Sequence, residues 1–397
     1  MRINSNQKVH KMKRDSFKTL TRVTLNLANF IAQGVGVYYL CSVADTKEFV
    51  EKRQLVDQAN AEGEVEFNAR MNELRTNANA FVDPISGEVS AAVLPHWEKE
   101  LDGKTWRIED EGKAELENTT IVSMTRSDLL LGGLLLVNQW HSIPADYSYD
   151  SLVSVGTASG YKVKVVDSNV RLFQAAFQGL SEAMDDAAKA GLDYYIVREG
   201  YRSNEEQTSL FEQKMTALSD KYNGDILIAE TKKSVNYPGT SEYQTGFSFR
   251  MDLYSKEGPS AYGNVKYSES EQGKWLSTNG WKYGLTFRFP VENFPDSTWE
   301  SKTYKTGISS RMNLYRYVGK PHAAVMRVMD LCLEEYVEFL MEHPHVTVYE
   351  DGALRYEVYR LPASDEETTF SLPVPNPASA FQASLDNMGG VVLAYTY

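Results

Sequence analysis

Residues 23–44, VTLNLANFIAQGVGVYYLCSVA, carry no formal charge, and a run of that length spans the hydrocarbon of a bilayer as one helix. It comes directly after a basic arm. Residues 1–22 hold seven basic groups (Arg2, Lys8, Lys11, Lys13, Arg14, Lys18 and Arg22) against one acid, Asp15. A basic flank before an uncharged segment keeps the arm in the cytoplasm and sends the rest of the chain across the membrane. The segment therefore reads as a retained transmembrane anchor or a removed signal. Ser42 and Ala44 stand at the small-x-small spacing a signal peptidase reads, with cleavage after Ala44. Either way the bulk of the chain is expected outside the cytoplasm. Taking the arm's seven and one from totals of 41 basic and 54 acidic residues leaves 34 against 53. So acidic a remainder argues against a nucleic-acid partner. Two cysteines in 397 residues exclude a disulfide scaffold, and Cys332 is expected as a buried small hydrophobe.

Beyond the segment, residues 45–80 are charge-rich with loosely helical apolar spacing and read as a solvated helical stalk. Residues 81–128 mix turn signals, among them Asp102-Gly103, with short alternating runs at 105–108 and 119–124, and read as a small strand-containing linker region. The main domain is expected over 129–397. A core helix is predicted within 168–190, stopped by Gly191. A strand is expected at 193–198, and Ser203 with Glu206 forms a capping box that opens a second helix. Residues 274–289 and 355–361 look like strands with turns, and 323–340 is amphipathic. Helices and strands without a βαβ rhythm indicate an α+β fold, with helices on a small, mainly antiparallel sheet.

Four blocks then carry a family resemblance: EGYRSNEEQTSLF (199–211), PGTSEYQTGFSFRMDL (238–253), KWLSTNGWKYGLTFRFP (274–290) and TGISSRMNLYRYVGKPHA (306–323). In order and spacing they resemble the VanY-type D-alanyl-D-alanine carboxypeptidases. LLLVNQWHSIPADY (134–147) and SLDNMGGVVLAY (384–395) are also similar to membrane-anchored members. The resemblance implies a zinc DD-peptidase fold and, as family activity, removal of the terminal D-alanine of peptidoglycan stem peptides by zinc-bound water.

That chemistry needs protein ligands that leave one zinc position to water, and a carboxylate to move the proton. The resemblance puts the three ligands at Tyr243, Arg250 and Leu314, and the base at Arg311. None is competent. Arginine does not deprotonate, two guanidinium groups repel a dication, and leucine has no lone pair. No zinc is expected unless the site is rearranged, for which Glu242, Asp252 and His322 are the candidates. Asp252 would need a local bulge to enter the pocket, and the alternative for His322 is a hydrogen-bonded structural histidine.

The binding side is retained in the resemblance. Arg202 matches the arginine that holds the substrate carboxylate, a bidentate clamp suited to that group. Ser203, Gln207 and Ser241 match its neighbours. The structural alternatives are an N-cap for Ser203, a helix-surface position for Gln207 and an ion pair for Arg202. Glu199 replaces the serine usual before GYR, which sets a carboxylate near that arginine. Tyr243, Trp275, Trp281 and Tyr315 read as core. The expectation is a cell-wall-associated pseudo-carboxypeptidase that binds stem-peptide termini or a cell-surface protein. The alternative is an active metallocarboxypeptidase with rebuilt ligands.

Overall fold

The computed structural model describes residues 80–82, 89–91, 95–112, 115–254, 266–308, 313–364 and 366–397. The basic arm, the uncharged segment, most of the stalk and Arg311 lie outside them. Among the described residues no helix is long and apolar enough to cross a membrane. The chain divides into two units, Met1–Val93 with Asn223–Ala229, and Leu94–Tyr222 with Glu230–Tyr397. In the first, β1 (Ala80–Val82) and β2 (Val89–Ala91) pair as an antiparallel hairpin.

The second unit corrects the expected boundary at 129. β3 (His96–Leu101) and β4 (Lys104–Asp110) turn on Asp102-Gly103, both at positive φ as a two-residue hairpin requires. They belong to a six-stranded antiparallel sheet with strands more than 230 residues away: β12 (His345–Glu350), β13 (Ala353–Pro362), β15 (Ala380–Leu385) and β16 (Gly390–Thr396). β5 (Thr119–Thr125) likewise pairs with β14 (Thr369–Pro375), while β6 (Leu152–Ser154) pairs with the nearer β7 (Arg171–Phe173). The 81–128 region is thus no separate linker from residue 96 onward. Local patterning finds such strands but not their partners.

The four-stranded antiparallel sheet matters for the site. Its order is β10 (Leu285–Phe287), β11 (Leu314–Tyr317), β9 (Ser248–Leu253), β8 (Tyr195–Glu199). Period-2 alternation gives it two unlike faces. One carries Tyr195, Val197, Phe249, Met251, Leu253, Leu285, Phe287 and Tyr315, and packs in one core with Ala176, Phe177, Leu180 and Ala183 of helix α1 (Gln174–Lys189). The opposite face carries Ser248, Arg250 and Asp252 of β9 with Leu314 and Arg316 of β11.

Helix α1 ends on Gly191 at φ +76° as its sequence requires, and α2 (Asn204–Leu218) opens on the Ser203–Glu206 capping box. One expectation fails. Within 274–289 only β10 is strand, because 271–279 forms helix α3 (Glu271–Asn279), whose Leu276 and Ser277 are buried. The amphipathic stretch 323–340 is two helices, α4 (Lys320–Met329) and α5 (Leu333–Glu342), broken where Asp330 takes φ +54°. Both pack on the six-stranded sheet in a second core with Trp106, Ile108, Val346, Val358 and Val392. Cys332 is buried and free, as expected.

Candidate functional site

The polar face of the four-stranded sheet gathers the positions the resemblance singles out. Leu314 stands opposite Arg250, and Arg250 opposite Glu199, so the three form one row across β11, β9 and β8. Glu199 joins it only because the register shifts between Val197 and Glu199. In regular pairing Glu199 would align with Phe249 on the core face, and the extra residue, Arg198, turns it to the polar side. The bulge that Asp252 would need to enter the pocket is instead on the neighbouring strand. It delivers Glu199 to the row, while Asp252 pairs with Arg198 at 3.4 Å.

Tyr243 reaches the row from a short 3-10 turn, Glu242–Thr245, that ends on Gly246 at φ +71°. A Cβ on Gly246 would stand 2.7 Å from the Phe173 ring, so only glycine closes the turn here. Tyr243 is buried in a small cluster with Leu314 and Phe289, bordered by Ile308. Its phenol is pushed up by burial and by the Glu199 carboxylate. Zinc is held by imidazole nitrogen, thiolate or carboxylate oxygen. A phenol kept protonated, a leucine methyl cluster and the Arg250 guanidinium do not fit it.

Arg202 closes the cluster. Its guanidinium lies over the Tyr243 ring, 4.4 Å from the centroid. Nε donates to Glu199 Oε1 at 2.9 Å, Nη2 donates to the same oxygen, and Nη1 donates to Gln207 Oε1 at 2.6 Å. Arg250 Nε stands 3.8 Å from Glu199 Oε2. The arginine that matches the substrate clamp is thus engaged by a carboxylate of its own chain, the ion pair foreseen as its structural alternative. Gln207 is fully buried and not on the helix surface, with Nε2 donating to the Asn236 carbonyl at 2.6 Å. Ser203 is the N-cap of α2, accepting from the Glu206 amide. Ser241 is buried and precedes the turn that carries Tyr243. Tyr243, Trp281 and Tyr315 are buried core residues, and Trp275 packs against the core at its edge.

The rescue candidates are each engaged elsewhere. Glu242 is buried and accepts from Arg288 Nε at 2.5 Å, Arg316 Nη1 at 2.8 Å and Ser248 Oγ at 2.8 Å. Arg288 also forks onto Glu334 at 2.9 and 2.7 Å, and Asn138 donates to Glu334 at 3.0 Å. Burial would push the Glu242 carboxyl up, but Arg288 and Arg316 outweigh it and hold it below the ordinary range. Sequence reading missed this network. Its one visible signal is an arginine between two aromatic residues, Phe287-Arg288-Phe289 and Tyr315-Arg316-Tyr317. Among the described residues, no three of His, Cys, Asp and Glu form a group able to hold a metal.

His322 is fully buried, with Nδ1 2.7 Å from the Tyr336 hydroxyl, and burial pushes its imidazole down to about 3. The unfolded chain therefore takes up this proton first as pH falls. The stability it confers is complete above about 6.5 and erodes from there toward 3. Unfolding by urea across that window should show a shallower pH dependence for His322→Gln than for the wild type. Parallel curves would disprove a buried neutral imidazole.

The sequence model of the VanY family, described as D-alanyl-D-alanine carboxypeptidase, matches residues 169–319. A D-alanyl-D-alanine carboxypeptidase of Enterococcus faecium is 29% identical over 287 residues, covering 71% of this chain and 81% of the relative. Another, from Enterococcus faecalis (strain ATCC 700802 / V583), is 31% identical over 222 residues, covering 56% and 71%. Among solved structures, the vancomycin-resistance D,D-dipeptidase VanXYg in complex with a D-Ala-D-Ala phosphinate analogue aligns with a TM-score of 0.54. Its identity is 23%, over 70% of this chain and 99% of that one, a likeness of fold.

Proposed function

Since the chain belongs to the VanY D-alanyl-D-alanine carboxypeptidase family, we propose that it is a member that binds without hydrolysing. On this reading it is a pseudo-carboxypeptidase tethered or exported by residues 23–44, with its folded domain at the cell wall. Its ligand is a peptide C-terminus of the stem-peptide type. The ligand carboxylate displaces Glu199 from Arg202, and the peptide bond next to it is left intact. A cell-surface protein ending in a free carboxylate would use the same anchor.

One observation carries this reading. Tyr243 and Leu314, two of the positions the resemblance gives to the metal, pack in one buried cluster with Phe289, and the Arg202 guanidinium covers the Tyr243 ring. Hydrolysis of an amide at a useful rate needs an activated nucleophile and a group to move its proton. Neither arises from a buried phenol, an aliphatic side chain and paired arginines.

The test is elemental analysis of the full-length protein purified in excess zinc, with D-alanine release from a stem pentapeptide. The expected result is substoichiometric zinc and no release. Stoichiometric zinc together with release would overturn the reading and assign a new ligand set.

A further inference from the structure

The dipeptide Asn-Gly occurs twice in the chain, as Asn223-Gly224 and as Asn279-Gly280. In this pair the asparagine amide is open to attack by the backbone nitrogen that follows it, since glycine sets no Cβ beside the reacting atoms. The fold treats the two copies differently.

Asn279-Gly280 closes helix α3 and is sealed. Asn279 is half-buried and Gly280 is buried. Nδ2 of Asn279 donates to the Trp275 carbonyl at 2.9 Å, and its Oδ1 accepts from Lys282 Nζ at 2.8 Å. The Gly280 N–H donates to the Leu276 carbonyl. Side-chain amide and backbone nitrogen are thus both engaged, and the side chain is held back against the preceding helical turn. Asn223-Gly224 carries none of these restraints. Both residues are exposed, at the start of the helix Gly224–Lys232. Among the described residues, no group hydrogen-bonds the Asn223 side chain or accepts the Gly224 N–H, because the first amides of a helix have no intrahelical acceptor. Gly224 adopts φ +53°, and a Cβ built on it would meet nothing within 4 Å.

We propose that Asn223 is a site of spontaneous deamidation in the folded protein, by way of a succinimide formed with Gly224. The Gly224 nitrogen gives its proton to solvent base and bonds to Asn223 Cγ. The Cγ–Nδ2 bond then breaks, and the amide nitrogen leaves as ammonia with a proton from water. Water opens the ring at either carbonyl, which restores the Gly224 N–H and leaves aspartate or isoaspartate at position 223. Either product places a negative charge at the N-terminus of the helix, where the macrodipole favours it. This chemistry does not depend on whether the Glu199–Arg250–Leu314 row binds peptide.

The experiment ages the full chain at mildly alkaline pH, once folded and once in urea. Peptide mapping by mass spectrometry follows the conversion of amide to acid at each asparagine, and enzymatic methylation quantifies isoaspartate. In the folded chain Asn223 is expected to convert at least about tenfold faster than Asn279, a barrier difference of at least about 1.4 kcal/mol. In urea the two should convert at similar rates. The products at 223 should include both aspartate and isoaspartate. An intact Asn223 in a folded sample whose urea control has converted, equal rates at 223 and 279 in the folded chain, or aspartate without isoaspartate would each overturn the proposal.

Discussion

Glu242→Ala is expected to lower the free energy of unfolding by about 3–5 kcal/mol, the usual cost of removing one partner from a buried ion pair. The carboxylate is buried between two fully buried arginines, and it bonds both while accepting a third hydrogen bond from Ser248. Without it Arg316 keeps only backbone carbonyls, those of Gly133, Leu135 and Tyr317, and Arg288 keeps Glu334. Two buried cations are then left with one carboxylate, Glu334, which bonds Arg288 and not Arg316. Glu242→Gln, which retains acceptor oxygen and volume, should cost less.

The pH dependence is set by the sign of the shift. The folded carboxyl titrates below its ordinary value of 4.5. Its stabilising effect is complete above that value and is lost as pH falls through the folded one. The gap between wild type and Glu242→Ala in urea unfolding should thus narrow as pH drops below about 4.5. A loss under about 1 kcal/mol at neutral pH, within the range of an exposed pair, would show that the network is not what holds this turn.

Glu199→Ser should raise affinity for a peptide ending in D-Ala-D-Ala by roughly 10- to 100-fold, corresponding to the 1.5–3 kcal/mol typical of charge-assisted hydrogen bonds. The substitution removes the carboxylate that now takes Nε and Nη2 of Arg202. Gln207 still holds Nη1 and Tyr243 still backs the ring face, so the freed guanidinium remains oriented. Calorimetric titration with the peptide acid and its C-terminal amide separates the carboxylate contact from the rest. Adding Arg202→Ala to the variant should abolish the discrimination between them. Equal affinities of the Glu199→Ser protein for acid and amide would remove Arg202 from any role in binding.

Glu199 shows how the sequence is informative and where it stops. That a carboxylate lies near Arg202 is evident from their separation of three residues. That it shares a face with Arg250 depends on the bulge at Arg198, which no local pattern announces. Tyr243 and Leu314 were legible as residues unfit for zinc. Their contact with Phe289 brings together segments 25 to 71 residues apart and needed the folded chain. The expected strand at 274–289 failed because short apolar runs fit helix and strand equally, and burial of one helical face decided between them.

Side-chain chemistry is a property of residue type, so the sequence alone determined that Tyr243, Arg250 and Leu314 do not offer the imidazole, thiolate or carboxylate donors usual for zinc, where α2 is capped and that the fold mixes helices with antiparallel strands. The tertiary structure decided everything that depends on pairing across long separations. It joined β3 and β4 to the C-terminal sheet, buried Glu242 between Arg288 and Arg316, and set Glu199 against Arg202. The physical reason is that strand register and buried charge pairing are fixed by whole-chain packing, in which each contact is favourable only when the others are already in place.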